Sequence, residues 1–165
     1  MPTINPDGLA LGTRNNARNV DLNRNFPEAN WKADVQKPNA GGEIIENGGG
    51  TTALSEPEAK ALANLILAES PRLVLSYHAV GSLIISNAAG DANAIASTYS
   101  AHTGYWLPGG GDEAEGVFSY EITGTLEGWL YETYAIPTLV IELPSYYGNS
   151  IYGNRSAMWA VVNTP

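Results

Sequence analysis

Apolar residues recur at Ala59, Leu62, Ala63 and Ile66, a helical spacing that runs on until Pro71. Ser55 and Glu58 stand in front of it in the arrangement of a capping box, which predicts a helix opening at Ser55. Leu73-Val-Leu-Ser-Tyr77 is then a short continuous apolar run bounded by Pro71 and Gly81, the pattern of a buried strand, and Leu83-Ile-Ile85 reads as another. A helix over 91–103 follows, opened by Asp91 and closed by Gly104. After it come a helix over 124–134, a strand over Pro137-Thr-Leu-Val-Ile-Glu-Leu143 and a last helix near 154–163. Thr3–Ile4 reads as the end of a strand, with a turn at Asn5-Pro-Asp-Gly8. Residues 28–54, rich in Gly, Asn and Lys, read as a long irregular connection, and 108–116 as a flexible acidic loop. Helices alternating with apolar strands predict an α/β fold: a mixed, largely parallel sheet with helices on both faces. There are no repeats and no interior linker, so residues 1–165 read as one domain.

Composition narrows the partners. A 44% hydrophobic and 15% charged chain of 165 residues is long enough to bury a core. A net charge of −9 argues against nucleic acid or an anionic membrane as the ligand, and no apolar run approaches membrane-spanning length. The absence of cysteine removes disulfides and thiolate metal sites.

Against that acidic background, Arg14, Arg18 and Arg24 place three of the eight basic residues close together around Asn19-Val-Asp-Leu-Asn-Arg-Asn-Phe-Pro27. Guanidinium groups pair best with a bidentate carboxylate or phosphate, so the run is suited to grip an anion. Two more polar residues sit where apolar strands end: His78 directly after Leu73–Tyr77, and Glu142 inside Pro137–Leu143. Ligands of open α/β sheets bind at the carboxyl ends of strands. A lone His is more often a satisfied structural residue, but a carboxylate among Leu, Val and Ile needs a partner or a raised pKa, which is how general bases are tuned.

Asn5-Pro-Asp-Gly8, Asp21-Leu-Asn-Arg-Asn-Phe26, Ser55-Glu-Pro-Glu58, Ser76-Tyr-His78 and Ile141-Glu-Leu143 occur in the order of the zinc metallocarboxypeptidases, the carboxypeptidase A-like family, which the chain resembles across most of its length. It looks especially similar to the bacterial branch that trims peptides or muropeptides. The resemblance implies a zinc carboxypeptidase-like sheet whose N-terminal strands are missing here, and zinc-dependent hydrolysis of C-terminal amide bonds. It makes Asn23 and Arg24 the clamp for the substrate's terminal carboxylate and Arg14 the polariser of the scissile carbonyl, with Arg18 a second candidate for that role. His78 becomes a zinc ligand, Glu142 the general base, and Asp21 a residue that supports a metal-bound imidazole. Tyr120 takes the place of a mobile capping Tyr; its other reading is a half-buried aromatic beside a loop. Glu127 falls in the pocket for the terminal side chain, against the alternative of a solvated helix face.

The family's first two zinc ligands, a His and a Glu three residues later, precede its Asn-Pro-Asp-Gly turn. Neither His78 nor His102 fits that pattern, since Gly81 and Tyr105 stand three residues on. The reading is therefore the C-terminal portion of a metallocarboxypeptidase-like catalytic domain, inactive by itself, whose exposed sheet edge favours self-association. The alternative is a binding module that recognises peptide or muropeptide carboxylates without hydrolysing them.

Overall fold

The structure is a computed structural model that describes residues 3–38, 40–108, 117–146 and 150–163. The acidic loop expected at 108–116 lies, but for Pro108, outside the described residues. The chain packs as two compact units, one of residues 1–71 with 118–132, the other of residues 72–117 with 133–165.

The first unit opens with helix α1, Pro6–Leu11, where a strand end and a turn were expected. The reason is local: the Asn5 side chain accepts from the Gly8 amide at 2.8 Å, and Pro6 at the first helical position has no N–H to lose. A single 3-10 turn, Leu22–Arg24, starts where the Asp21 carboxylate accepts from the Asn23 amide at 3.1 Å. The connection after it holds one small antiparallel ribbon, β1 (Val35–Gln36) with β2 (Ile44–Ile45), in the register Val35 to Ile45.

Helix α2, Pro57–Glu69, buries Ala59, Ala63 and Ile66. The capping box does not form. Glu56 is the N-cap and makes no side-chain cap bond, because Ser55 Oγ donates instead to Glu56 Oε1 at 2.9 Å and takes a bond from Asn25. Phe26 and Trp129 stack at 5.7 Å between ring centroids, and both are buried.

In the second unit β3 (Val74–Ala79), β4 (Leu83–Ser86) and β5 (Thr138–Leu143) form a sheet in the order β3-β5-β4. It is mixed, as the pattern predicts: β3 runs parallel to β5 and β4 antiparallel to it. His78 lies inside β3 rather than after it, because pairing with β5 continues to Ala79. Helices α3 (Ala92–Thr103) and α5 (Arg155–Val162) supply Ile95, Ala96, Tyr99, Ala157 and Val161 to a core shared with Ile84, Leu139 and Ile141. Gly104 closes α3 in the left-handed conformation, at φ 72°. Asp91 is its N-cap without a side-chain bond. Helix α4, Leu126–Tyr134, lies between α3 and α5 in the chain and belongs to the first unit as far as Glu132. No helix of the described residues is long and apolar enough to cross a membrane.

Candidate functional site

Five of the residues singled out above join in one hydrogen-bonded run within the first unit. Arg14 Nε donates to Asp21 Oδ2 at 2.6 Å, an ion pair in which the Asp21 side chain is only 6% exposed and that of Arg14 42%. Asp21 holds the Asn23 amide, and Asn23 in turn works in two directions. Its Oδ1 accepts from the Leu126 amide at 3.0 Å, satisfying one of the free N–H groups at the start of α4, and its Nδ2 donates to Glu127 Oε2 at 3.3 Å. Arg24 is buried, donates through Nη1 to the Asn23 carbonyl at 2.6 Å, and keeps a buried Nε with no acceptor among the described residues.

Gly124 makes this arrangement possible. It sits at φ 63°, and a Cβ there would stand 2.5 Å from the Arg24 carbonyl oxygen.

Burial pushes the half-buried Glu127 carboxyl above its ordinary pKa, opposed by backbone hydrogen bonding, the Arg24 charge and the Asn23 amide; nearby Glu28 adds to the rise. Glu28 lies in the stretch whose composition predicts an irregular connection, yet its Oε2 accepts from the Thr125 amide at 2.6 Å and from Thr125 Oγ1 at 3.1 Å. Burial raises its pKa too, with bonds from Thr125 pulling down and Glu132 pushing up. No local signal marks it, because its partner is 97 positions away.

Arg18 and Tyr120 stand apart from this run. Arg18 is exposed and leans toward Glu56, with 3.8 Å between Nη1 and Oε2. Tyr120 is half-buried and packs on Phe118 at 5.6 Å between centroids. The next residue ties its segment down: Glu121 pairs with Lys32 at 2.5 Å, and its amide donates to Gln36 Oε1 at 2.8 Å.

His78 and Glu142 belong to the second unit. They are register partners on the parallel strands β3 and β5, so both side chains leave the same face of the sheet. That face alternates with the one where Leu75, Tyr77 and Ile141 meet the core. Ser76 Oγ lies 3.0 Å from His78 Nε2. Among the described residues no group of three or more His, Cys, Asp or Glu could hold a metal ion, so the donor set here does not fit a three-ligand zinc site.

The profile of the zinc carboxypeptidase family matches residues 1–152. Murein peptide amidase A of Escherichia coli (strain K12) is 46% identical over 80 residues, covering 46% of this chain and 33% of that protein. Murein peptide amidase A of Vibrio campbellii (strain ATCC BAA-1116) is 31% identical over 147 residues, 86% of this chain and 54% of that one. The chain thus spans from a third to about half the length of these relatives. Among solved structures, the murein-tripeptide amidase of Escherichia coli O157 superposes with a TM-score of 0.71 at 29% identity, over 97% of this chain and 64% of its own. Carboxypeptidase A of Helicoverpa armigera gives 0.74 at 21% identity over 98% and 49%, a likeness of fold alone.

Proposed function

The chain belongs to the zinc carboxypeptidase family, and from that premise we propose that it is the C-terminal, substrate-gripping portion of the catalytic domain of a hydrolase that removes C-terminal residues from peptides or muropeptides. The observation that carries this reading is Arg24: a buried guanidinium whose Nε has no acceptor among the described residues, next to Asn23 and Glu127. A buried donor without a partner costs about 1–3 kcal/mol, and a carboxylate from a ligand would supply the missing acceptor.

In this proposal Asn23 and Arg24 hold the terminal carboxylate, and Arg14 polarises the carbonyl of the bond to be cut. Asp21 fixes Arg14 by their ion pair. Glu142 takes a proton from the attacking water and passes it to the departing amine as the C–N bond breaks. Tyr120 covers the bound residue. Glu127 draws a cation into the terminal side-chain pocket, favouring Lys, Arg or the amine end of diaminopimelate. The names of the murein peptide amidases point the substrate class toward muropeptides.

Zinc is the family's metal, and His78 is the residue that would give it an imidazole. With one such ligand the chain holds zinc weakly, and it hydrolyses a C-terminally free peptide slowly or not at all. The same donor set favours a second reading, recognition of the carboxylate without hydrolysis. The β3 edge is expected to promote self-association at high concentration, read by sedimentation.

One experiment separates these readings. A muropeptide ending in diaminopimelate is titrated into the chain as the free acid and as the C-terminal amide, with and without zinc, and turnover is followed. Tighter binding of the acid without turnover supports recognition by this portion. Rapid hydrolysis that a chelator abolishes and zinc restores overturns the expected inactivity. Equal binding of acid and amide overturns the role given to Arg24.

A further inference from the structure

Gly128 stands in the first turn of α4 outside the left-handed region, so its backbone does not ask for glycine. A glycine inside a helix costs stability relative to alanine. Space is what demands it here: a Cβ at 128 would collide with the carboxylate of Glu28, a half-buried side chain brought in from a distant part of the first unit.

Glu28 is fitted to that turn from several sides. Its Oε2 accepts from both the amide and the hydroxyl of buried Thr125, the residue just ahead of α4. The same hydroxyl accepts from the Gly128 amide at 3.0 Å, as an N-cap does. The chain on either side of Glu28 is tied to the helix as well. The Phe26 amide donates to the Gly124 carbonyl at 2.9 Å and its ring stacks on Trp129, while the Ala29 amide donates to Glu132 Oε2 at 2.8 Å. Glu127 lies in sequence between Thr125 and Gly128, the two residues that Glu28 engages.

We propose that Glu28 is a positioning residue for recognition of the terminal side chain: seated on Gly128 and bonded to Thr125, it fixes the first turn of α4 and with it the direction in which Glu127 presents its carboxylate. This rests on the reading of Glu127 given above. Both Glu28 oxygens are engaged by the turn, one with Thr125 and one against Gly128, so the carboxylate that meets the cation is that of Glu127. Asn23 and Arg24 are held by their own segment, through Asp21 and the Asn23 carbonyl. A displaced turn therefore changes which side chain is preferred and leaves the terminal carboxylate gripped.

The test is a titration of the full chain, in chelator to prevent turnover, with Ala-Ala-Lys, Ala-Ala-Phe and the amide of Ala-Ala-Lys. The parent should bind the Lys peptide about tenfold more tightly than the Phe peptide, the scale of one well-placed charge pair. Glu28→Ala should bring the two within about twofold of each other. Glu28→Gln keeps an acceptor for Thr125 and should retain the preference, which separates position from charge. Gly128→Ala should lose the preference by driving the carboxylate off the turn, and it tests the same contact should Glu28→Ala fail to fold. Added to Glu28→Ala it should cause no further loss, since both remove one contact. The preference for acid over amide should persist in every variant. A Lys preference that survives Glu28→Ala or Gly128→Ala, or that Glu28→Gln abolishes, overturns the proposal; if Glu127→Gln still erases that preference, the Glu127 reading stands without it. A parent that does not prefer Lys, or a preference that survives Glu127→Gln, removes the Glu127 reading and the role of Glu28 together.

Discussion

The two units are built by different physics. In the second, a three-stranded ladder and an apolar cluster around Ile84, Leu139, Ile141 and Tyr99 do most of the holding. In the first, the ladder is a two-residue ribbon, and buried polar side chains take over the work of backbone pairing. Asn25, fully buried, donates to the Gly49 and Thr52 carbonyls and to Ser55 Oγ, and accepts from the Glu56 amide. Asn16 Oδ1 accepts from the Arg18 and Val20 amides while its Nδ2 donates to Glu56 at 2.8 Å. Area-based packing spreads its energy over many atoms. A polar scaffold concentrates it in a few residues, and those residues also set the position of the proposed carboxylate clamp.

The sharpest way to break this contrast is Asn25→Ala. It removes four hydrogen bonds and leaves buried backbone groups unsatisfied, so it should cost about 4 kcal/mol in urea unfolding, at the upper end for a single substitution. Ile141→Ala in the second unit should cost about 3 kcal/mol, from lost transfer energy plus a cavity, and Ile141→Val about 1 kcal/mol. If Asn25→Ala proves milder than Ile141→Ala, the first unit does not rest on single polar residues. Hydrogen exchange locates the damage: the amides of Leu54 and Glu56 should lose protection in the first variant and those of β5 in the second.

The same contrast governs what could be read from the sequence. Helices α2 to α5 and strands β3 to β5 announce themselves by period and by Pro and Gly boundaries, because the apolar faces that stabilise them recur in the chain. Helix α1 was hidden, since Asn-Pro-Asp-Gly is equally the sequence of a turn and only six residues follow the helical path. The Ser55 capping box failed because the hydroxyl serves Asn25 across a loop and the adjacent Glu56 carboxylate. Asn23 and Arg24 stood out as a polar pair within a recognisable motif. Glu28 did not, because it bonds Thr125, the residue just ahead of α4, from 97 positions away.

A smaller effect probes polar contacts inside the apolar unit. Tyr99 OH donates to Asn154 Oδ1 at 3.0 Å and lies 2.6 Å from Tyr77 OH, and Asn154 Nδ2 donates onward to Tyr105 OH at 3.1 Å. Tyr99→Phe keeps the buried ring and removes the shared hydroxyl, so the expected cost is about 1–2 kcal/mol. A loss as large as that of Ile141→Ala would mean that the second unit too depends on a polar network.

The smallest effect has the most specific sign. The carboxyl of Glu127 is raised in the folded chain, chiefly by burial, so the native state binds its proton more tightly than the unfolded chain does. Its favourable contribution is complete below the unfolded carboxylate pKa and is lost as pH rises through the folded one. Glu127→Gln keeps an oxygen for the Asn23 amide and imitates the protonated form. The variant should therefore match the parent in urea unfolding near about pH 4 and be the more stable of the two near about pH 7. Glu28 moves in the same direction, so the gain should persist in a Glu28→Gln background, reduced by the repulsion already removed. The same substitution should erase the preference for peptides ending in Lys over Phe, because the charge that costs stability is the one proposed to attract the cation. A variant that is less stable at neutral pH would show that Arg24 and Asn23 outweigh burial. A variant that is more stable yet still prefers Lys would remove Glu127 from the pocket while leaving its desolvation intact.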